Sequence, residues 1–257
     1  MRYEHEVSRD WLMARQGYLT ASDVCKKITD VRKLAAGKTD LSHCRSFAKV
    51  LGSKRNRFPD TASPSSAAAR GHFMEPYAVE EWEAARKEGM VHWDDFLLAS
   101  DETKLAFSPD ALNVPQPMGV MTAVERSGEF YDSFSALVKP TSLLEVKCYD
   151  DGAHYQRKLD AMNGTPPDER WQVAVAMAVC PCIEHGSVMW YAPQCRDWFE
   201  VAFDREDLDE EIATVLTVAD MWRAFVDLMG AAPRHETNLS EEHLRNVYLT
   251  EMMLDGR

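Results

Sequence analysis

The stretch SLLEVKCYD, residues 142–150, sets a carboxylate, Glu145, and an ammonium, Lys147, two positions apart in largely apolar sequence. In a strand, side chains two apart share a face, so the pair would stand together. Alone, such a pair is most often a surface ion pair of little energetic value. Three further residues change that reading: Asp110 in SPD (108–110), Glu75 in RGHFMEPYA and Gln172 in ERWQVAVAMAV. Hard oxygen ligands suit Mg²⁺, so Asp110 and Glu145, with the backbone carbonyl of Val146, are a candidate set for one ion. Lys147, on the face of Glu145, can orient or deprotonate an attacking water, and Gln172 is a polar residue to position that water. Several carboxylates close together are tolerable in a folded interior only with a cation among them. The reaction these parts suit is phosphodiester hydrolysis, whose anionic transition state needs charge neutralisation and an activated water.

These residues need a scaffold, and the hydrophobic pattern supplies one. Ser8 can cap a first helix through Trp11, Leu12 and Arg15. LTASDVCKKI reads as a second short helix with Ser22 or Asp23 as its cap, and LSHCRSFAKVL as a third. Residues 52–66, polar and basic with Pro and Ser, read as an exposed loop. A strong helix is expected over 67–87, with Glu75 on it and Pro76 kinking it or marking a new first turn. The period then changes: 90–99 and 104–107 read as strands across a DET turn, and SPDALNV, VMTAVERS and SLLEVKC continue the sheet. The residues between Asp110 and Glu145 read as an enlarged hairpin. Helices are expected at 151–162 and 168–180, parted by NGTPP, then strands GSVMWYAP and WFEVAF, a long acidic helix over about 205–229 and a last helix near 240–252. A central mixed sheet flanked by helices makes this an α/β (α+β) fold. It is read as one domain over 1–257, with its core at about 8–204 and a C-terminal helical region from about 205.

At 257 residues and 45% apolar, the chain has ample material for a core. Its net charge of −13 is unevenly spread: residues 1–70 carry 14 Lys+Arg against 7 Asp+Glu, and the acidic excess lies beyond them. A basic N-terminal third on an acidic body can still present one positive surface to DNA. No apolar run approaches the ~20 residues that span a bilayer, so no membrane association is expected. MRYEHEVSRDWL has no apolar secretory segment. Six cysteines without regular spacing do not read as a disulfide framework, which points to a reduced, cytoplasmic protein. Cys25, Cys180, Cys182 and Cys195 could in principle hold an Fe–S cluster and His185 a zinc ion; buried thiols are the commoner case. Met177, Met252 and Met253 are expected in packing, and the acidic run from Asp204 to Glu211 on a solvated face.

The order helix-Glu75, strand-Asp110, strand-Glu145-x-Lys147, helix-Gln172 is that of the PD-(D/E)xK nuclease core. Five blocks in order, RQGYLTASDV, RGHFMEPYA, FSPDAL, LEVKC and WQVAVAM, spanning about residues 8–180, resemble the lambda exonuclease (YqaJ-type viral recombinase) family of that superfamily. The resemblance implies a restriction-endonuclease-like fold and a Mg²⁺-dependent 5′-to-3′ exonuclease acting on double-stranded DNA ends, which leaves 3′ overhangs for a single-strand annealing protein. It implies two ions, with Mn²⁺ able to substitute and Glu75 completing the ligand set. It further implies a homotrimeric ring and a phage or prophage gene expressed in a bacterial cytoplasm. An Arg can grip phosphate bidentately, and a Ser at a helix N-terminus adds a hydroxyl and backbone donors; in the family this element, here Arg15 and Ser22 with Thr20, anchors the 5′-phosphate. The long spacer between Asp110 and Glu145 departs from the family pattern and should leave the metal site intact. Two other readings stand beside this one: an Fe–S or endonucleolytic PD-(D/E)xK nuclease, and a DNA-end-binding module without catalysis.

Overall fold

A computed structural model describes residues 15–25, 36, 44–54, 66–87, 97–113, 140–195 and 197–231. The expected first helix from Ser8 through Arg15 lies outside these residues except at its end, where Arg15–Gly17 forms a 3₁₀ turn; the strand VMTAVERS with most of the enlarged hairpin, and the final helix near 240–252 with Met252 and Met253, also lie outside them.

The centre is strand β5 (Ser142–Cys148). On one side it pairs antiparallel with β4 (Ala111–Asn113), and on the other parallel with β6 (His185–Ala192), which pairs antiparallel with β7 (Asp197–Asp204). A smaller sheet has the order β1 (Leu19–Thr20), β3 (Leu105–Phe107), β2 (Leu98–Ser100), with β1 parallel and β2 antiparallel to β3. Residues 108–110, the SPD element, carry the chain from the small sheet into the large one.

Alternation along β5 and β6 feeds two cores. Leu143, Val188 and Trp190 join the larger core with Trp171, Val173 and Val175. Leu144, Val146, Met189 and Tyr191 join the smaller core with Ala78, Val79 and Trp82. Both faces of β5 are thus covered, which is why apolar side chains stand on both of them, Leu143 on one and Leu144 and Val146 on the other, rather than on one face alone. Helix α3 (Ser66–Arg86) covers the second face; Pro76 does not end it, and it runs unbroken on both sides of that residue.

Two helices, α4 (Asp151–Met162) and α5 (Arg170–Val179), make the crossover from β5 to the parallel β6. Asp150 caps α4 by accepting from the Ala153 N–H at 2.9 Å. Seven of the ten residues of α5 are buried, because it lies between the sheet and α6 (Asp209–Ala231). Gly186 permits this close layer: a Cβ there would stand 2.3 Å from Cγ1 of Val173. Helix α6 follows a 3₁₀ turn, Arg205–Leu208, so the expected acidic helix begins four residues late and continues to Ala231. Its Trp222 meets Phe47 of α2 (Arg45–Lys54) edge-on, with ring centroids 5.6 Å apart.

The short helix α1 is described over residues 21–25, and it corrects the expected cap. Ser22 and Asp23 lie inside its first turn. Thr20 is the capping position, and Asp23, three residues on, reaches back to accept from the Thr20 N–H at 3.1 Å. A carboxylate at the third helical position can satisfy that donor, as the Glu of a capping box does, whereas the side chain of Asp23 cannot cap a helix it is already part of.

Candidate active site

Strand register brings the first two carboxylates together. Ala111 pairs with Leu144, so extending the ladder by one residue sets Asp110 opposite Glu145. The Asp110 carboxylate (Oδ2) accepts from the Val146 N–H at 2.6 Å. Glu145, only 5% exposed, points with Leu143 toward the α5 layer. There Gln172 Nε2 donates to Glu145 Oε1 at 2.8 Å. The Lys147 ammonium donates to the same oxygen and also to the Val146 carbonyl at 3.2 Å.

Glu75 arrives from the opposite layer. It is half-buried on α3, beside the core formed with Leu144 and Val146, and its Oε2 lies 3.3 Å from His72 Nδ1. Its charge is felt across the strand by Asp110, Lys147 and Cys148. All five residues picked out in the sequence therefore belong to one electrostatic cluster centred on β5.

Burial pushes the Asp110 carboxyl well above the usual carboxylate range, and the charges of Glu145 and Glu75 push it further; Lys147 and the Val146 N–H pull it back. Burial works against the charge of Lys147, but Glu145, Asp110 and Glu75 outweigh it, so Lys147 holds its proton more tightly than an ordinary lysine. Burial, then Glu75 and Asp110, drive the neighbouring Cys148 thiol up to about 12.

Among the described residues no three His, Cys, Asp or Glu side chains form a ready metal-binding group. The oxygen donors nevertheless fit a hard cation: Glu145 Oε1 and the Val146 carbonyl already converge on one positive charge, the Lys147 ammonium, and the Asp110 carboxyl is crowded by like charge. Removing water from these groups without such a charge is costly.

A second cluster surrounds β1. Arg15 Nη2 lies 3.4 Å from Thr20 Oγ1, which is 3.2 Å from Ser22 Oγ and donates to Asp23 Oδ2 at 2.6 Å. The three residues singled out in RQGYLTAS are thus adjacent. Two more residues join them without a local sequence signal for this role. Asp23 is bound to Thr20 as described, and Lys54, at the end of α2, reaches Asp23 Oδ2 at 3.1 Å and the Arg15 carbonyl at 3.2 Å. Asp23 stood at a helix start, where capping explains it; Lys54 sits in a different element and only the fold brings it here.

Among the described residues the cysteine and histidine alternatives form no metal-binding group. Cys180 is buried, with its thiol driven up to about 12 by burial and then by Cys182, and Cys25 donates to the Asp168 carbonyl at 3.5 Å. His185 Nδ1 lies 2.7 Å from Asp204 Oδ1. Met177 is fully buried in the larger core. The start of the acidic run is solvated as expected, with the Asp204 side chain 70% exposed, while Glu211 is paired with Arg170 at 2.9 Å.

The fold recurs in nucleases. The chain is similar to the alkaline exonuclease LHK-Exo from Laribacter hongkongensis, at 21% identity and a TM-score of 0.54 over 86% of this chain and 96% of that one. It is equally similar to LHK-Exo in complex with dAMP, at 20% identity and a TM-score of 0.56 over the same shares. No curated protein is a significant match. The sequence from residue 10 to 182 matches the model of the YqaJ-like viral recombinase domain, a span that runs from before Arg15 to beyond Gln172 and takes in both clusters. With two thirds of its length so matched, the chain belongs to the YqaJ-like viral recombinase family.

Proposed function

We propose that this protein is a Mg²⁺-dependent 5′-to-3′ exonuclease that acts on double-stranded DNA ends. The observation that carries the reading is the convergence of Glu145 Oε1 and the Val146 carbonyl on the Lys147 ammonium, beside an Asp110 carboxylate held on the Val146 N–H. Family membership and a fold shared with alkaline exonucleases support it.

Asp110, Glu145 and the Val146 carbonyl would hold Mg²⁺ (or Mn²⁺), with Glu75 bearing on a second ion. When bound, the ions supply charge neutralisation at the attacking and leaving oxygens. Lys147 would offset charge on the scissile phosphate and orient the attacking water. Gln172 fixes the rotamer of Glu145 and adds a donor beside that water. The buried setting strengthens each of these contacts relative to water. Arg15, Thr20 and Ser22 would receive the 5′-phosphate of the degraded strand, which sets polarity by holding one end while the neighbouring linkage lies at the metal site.

In this reading the products are mononucleotides and a 3′-overhanging strand, taken up by a single-strand annealing protein. A ring of three subunits would enclose the duplex, with the basic N-terminal third toward DNA and acidic surface outward. The setting would be a bacterial cytoplasm, with the gene borne by a phage or prophage. No helix among the described residues is long and apolar enough to cross a membrane.

The test is one incubation of linear duplex, labelled at the 5′ or the 3′ terminus, with Mg²⁺. Early release of 5′ label as mononucleotide, with 3′ label retained on long strands, is the expected result. Nicking of covalently closed circles, or DNA binding without nucleotide release, would overturn it.

A further inference from the structure

We infer that Lys54 is a positioning residue of the 5′-end pocket, setting the charge and shape of the Arg15–Thr20–Ser22 cluster through Asp23 and the Arg15 backbone. The inference rests on the reading of that cluster as the 5′-phosphate site. Lys54 is the last residue of α2, and its side chain is only 9% exposed. An ammonium is rarely buried so far unless it is paired. Its nitrogen donates to the Arg15 carbonyl at 3.2 Å and pairs with Asp23 Oδ2 at 3.1 Å. The same Asp23 oxygen accepts from the Thr20 N–H and hydroxyl. One lysine therefore ties the end of α2 to two pieces far from it in sequence, the turn bearing Arg15 and the adjoining cap of α1.

Charge gives the arrangement its direction. Among the described residues the cluster holds two cations, Arg15 and Lys54, and one carboxylate, Asp23. Burial disfavours both cations: it holds Arg15 and Lys54 below their ordinary ranges, with Asp23 compensating each in part. An arriving dianionic phosphate relieves this imbalance. Without Lys54, Asp23 would cancel Arg15 and the pocket would be neutral toward an anion. Its carboxylate would also be released to turn toward Arg15 and compete with the phosphate for the guanidinium.

This logic predicts a rescue that a simple packing role does not. Rates are compared on matched duplexes with 5′-phosphate and 5′-hydroxyl ends, and the ratio is read within each enzyme preparation. Wild type should favour the phosphate by roughly tenfold or more. Lys54→Met should lose most of that ratio, and Lys54→Arg should keep most of it. Lys54→Met combined with Asp23→Asn restores the surplus positive charge and leaves the Asn carbonyl to accept from Thr20; it should regain much of the ratio. Thermal melting checks each variant, and Lys54→Gln carries the comparison should Lys54→Met not fold. A wild type without preference overturns the phosphate-pocket reading itself. A wild type with preference but an unchanged ratio in Lys54→Met overturns the role of Lys54 alone. Loss in Lys54→Met without recovery in either Lys54→Arg or the double variant assigns Lys54 to packing and also overturns the inference.

Discussion

Gln172 on α5 and Glu145 on β5 are joined by a hydrogen bond of 2.8 Å from Nε2 to Oε1, and the Lys147 ammonium donates to that same oxygen. One oxygen with two donors has a fixed direction, so Glu145 is oriented before any substrate arrives. That orientation is bought by burying α5 between sheet and α6.

Replacing Gln172 with Leu should leave the fold intact and lower the single-turnover rate about ten- to a hundredfold, since a lost donor to a buried carboxylate is worth about 1–3 kcal/mol. Gln172→Glu should be worse than Leu, because it sets a second negative charge against Glu145. A Leu variant at the wild-type rate would remove Gln172 from the mechanism.

Lys147→Ala should retain DNA binding, measured by fluorescence anisotropy, while the rate falls on the order of 10³-fold or more. Asp110→Ala and Glu145→Ala should abolish Mg²⁺-dependent turnover. Ca²⁺, larger and tolerant of looser geometry, should bind the wild type yet support turnover poorly. Calorimetry showing unchanged metal affinity in both carboxylate variants would refute their assignment as ligands.

Gly186 tests the layer that carries Gln172. A Cβ there would meet Val173 Cγ1 at 2.3 Å, and Val173 neighbours Gln172. Gly186→Ala should destabilise by about 1–3 kcal/mol through overpacking, and Gly186→Val by more. At temperatures where the Ala variant is folded, its rate should still fall, because the displaced helix moves Gln172 relative to Glu145. Denaturant unfolding with parallel kinetics separates the two effects; a destabilised variant with an unchanged rate would show that α5 shifts without disturbing the site.

Acid should weaken the seam between α4 and β7. Asp197 pairs with Lys158 at 2.7 Å and lies 3.2 Å from His154 Nε2. The hydrogen bond from Lys158 is the main cause that holds its carboxyl below the ordinary value. A depressed folded-state value means the unfolded chain binds more protons in that window. The contribution of Asp197 is therefore present above the unfolded value of about 3.9 and lost as pH falls through the lower folded value. Asp197→Asn should flatten the acid limb of the stability profile at and below about pH 4, read by thermal melting across pH. An acid limb as steep as the wild type's would show that other carboxylates govern it.

Much of this was legible in the chain itself. The apolar run around Leu143, Leu144 and Val146 reads as a strand, and two-residue spacing sets Glu145 and Lys147 on one face of it; the structure puts that strand at Ser142–Cys148. Helix α4 spans the very residues its pattern marks, 151–162, because Asp150 caps its start and NGTPP forbids its continuation. These are local matters of period, cap and turn, and local physics decides them.

What the sequence could not decide was set by register and layer. Which backbone donor receives Asp110 follows from the β4–β5 ladder, and no spacing rule fixes a ladder across a long connection. That Glu75 faces the opposite side of β5 from Glu145 depends on which layer α3 joins. The choice of Thr20 over Ser22 as helix cap turned on where backbone β1 ended, pinned by its pairing with Leu105 and Ala106. Lys54 carried no local mark at all: residues 52–66 read as an exposed basic loop, whereas α2 continues through Lys54, and only the packing of that helix brings the ammonium against Asp23. Sequence thus determined the types of group available and their local geometry, while tertiary packing determined which of them share a charge, because burial makes electrostatic partnership a matter of distance through space.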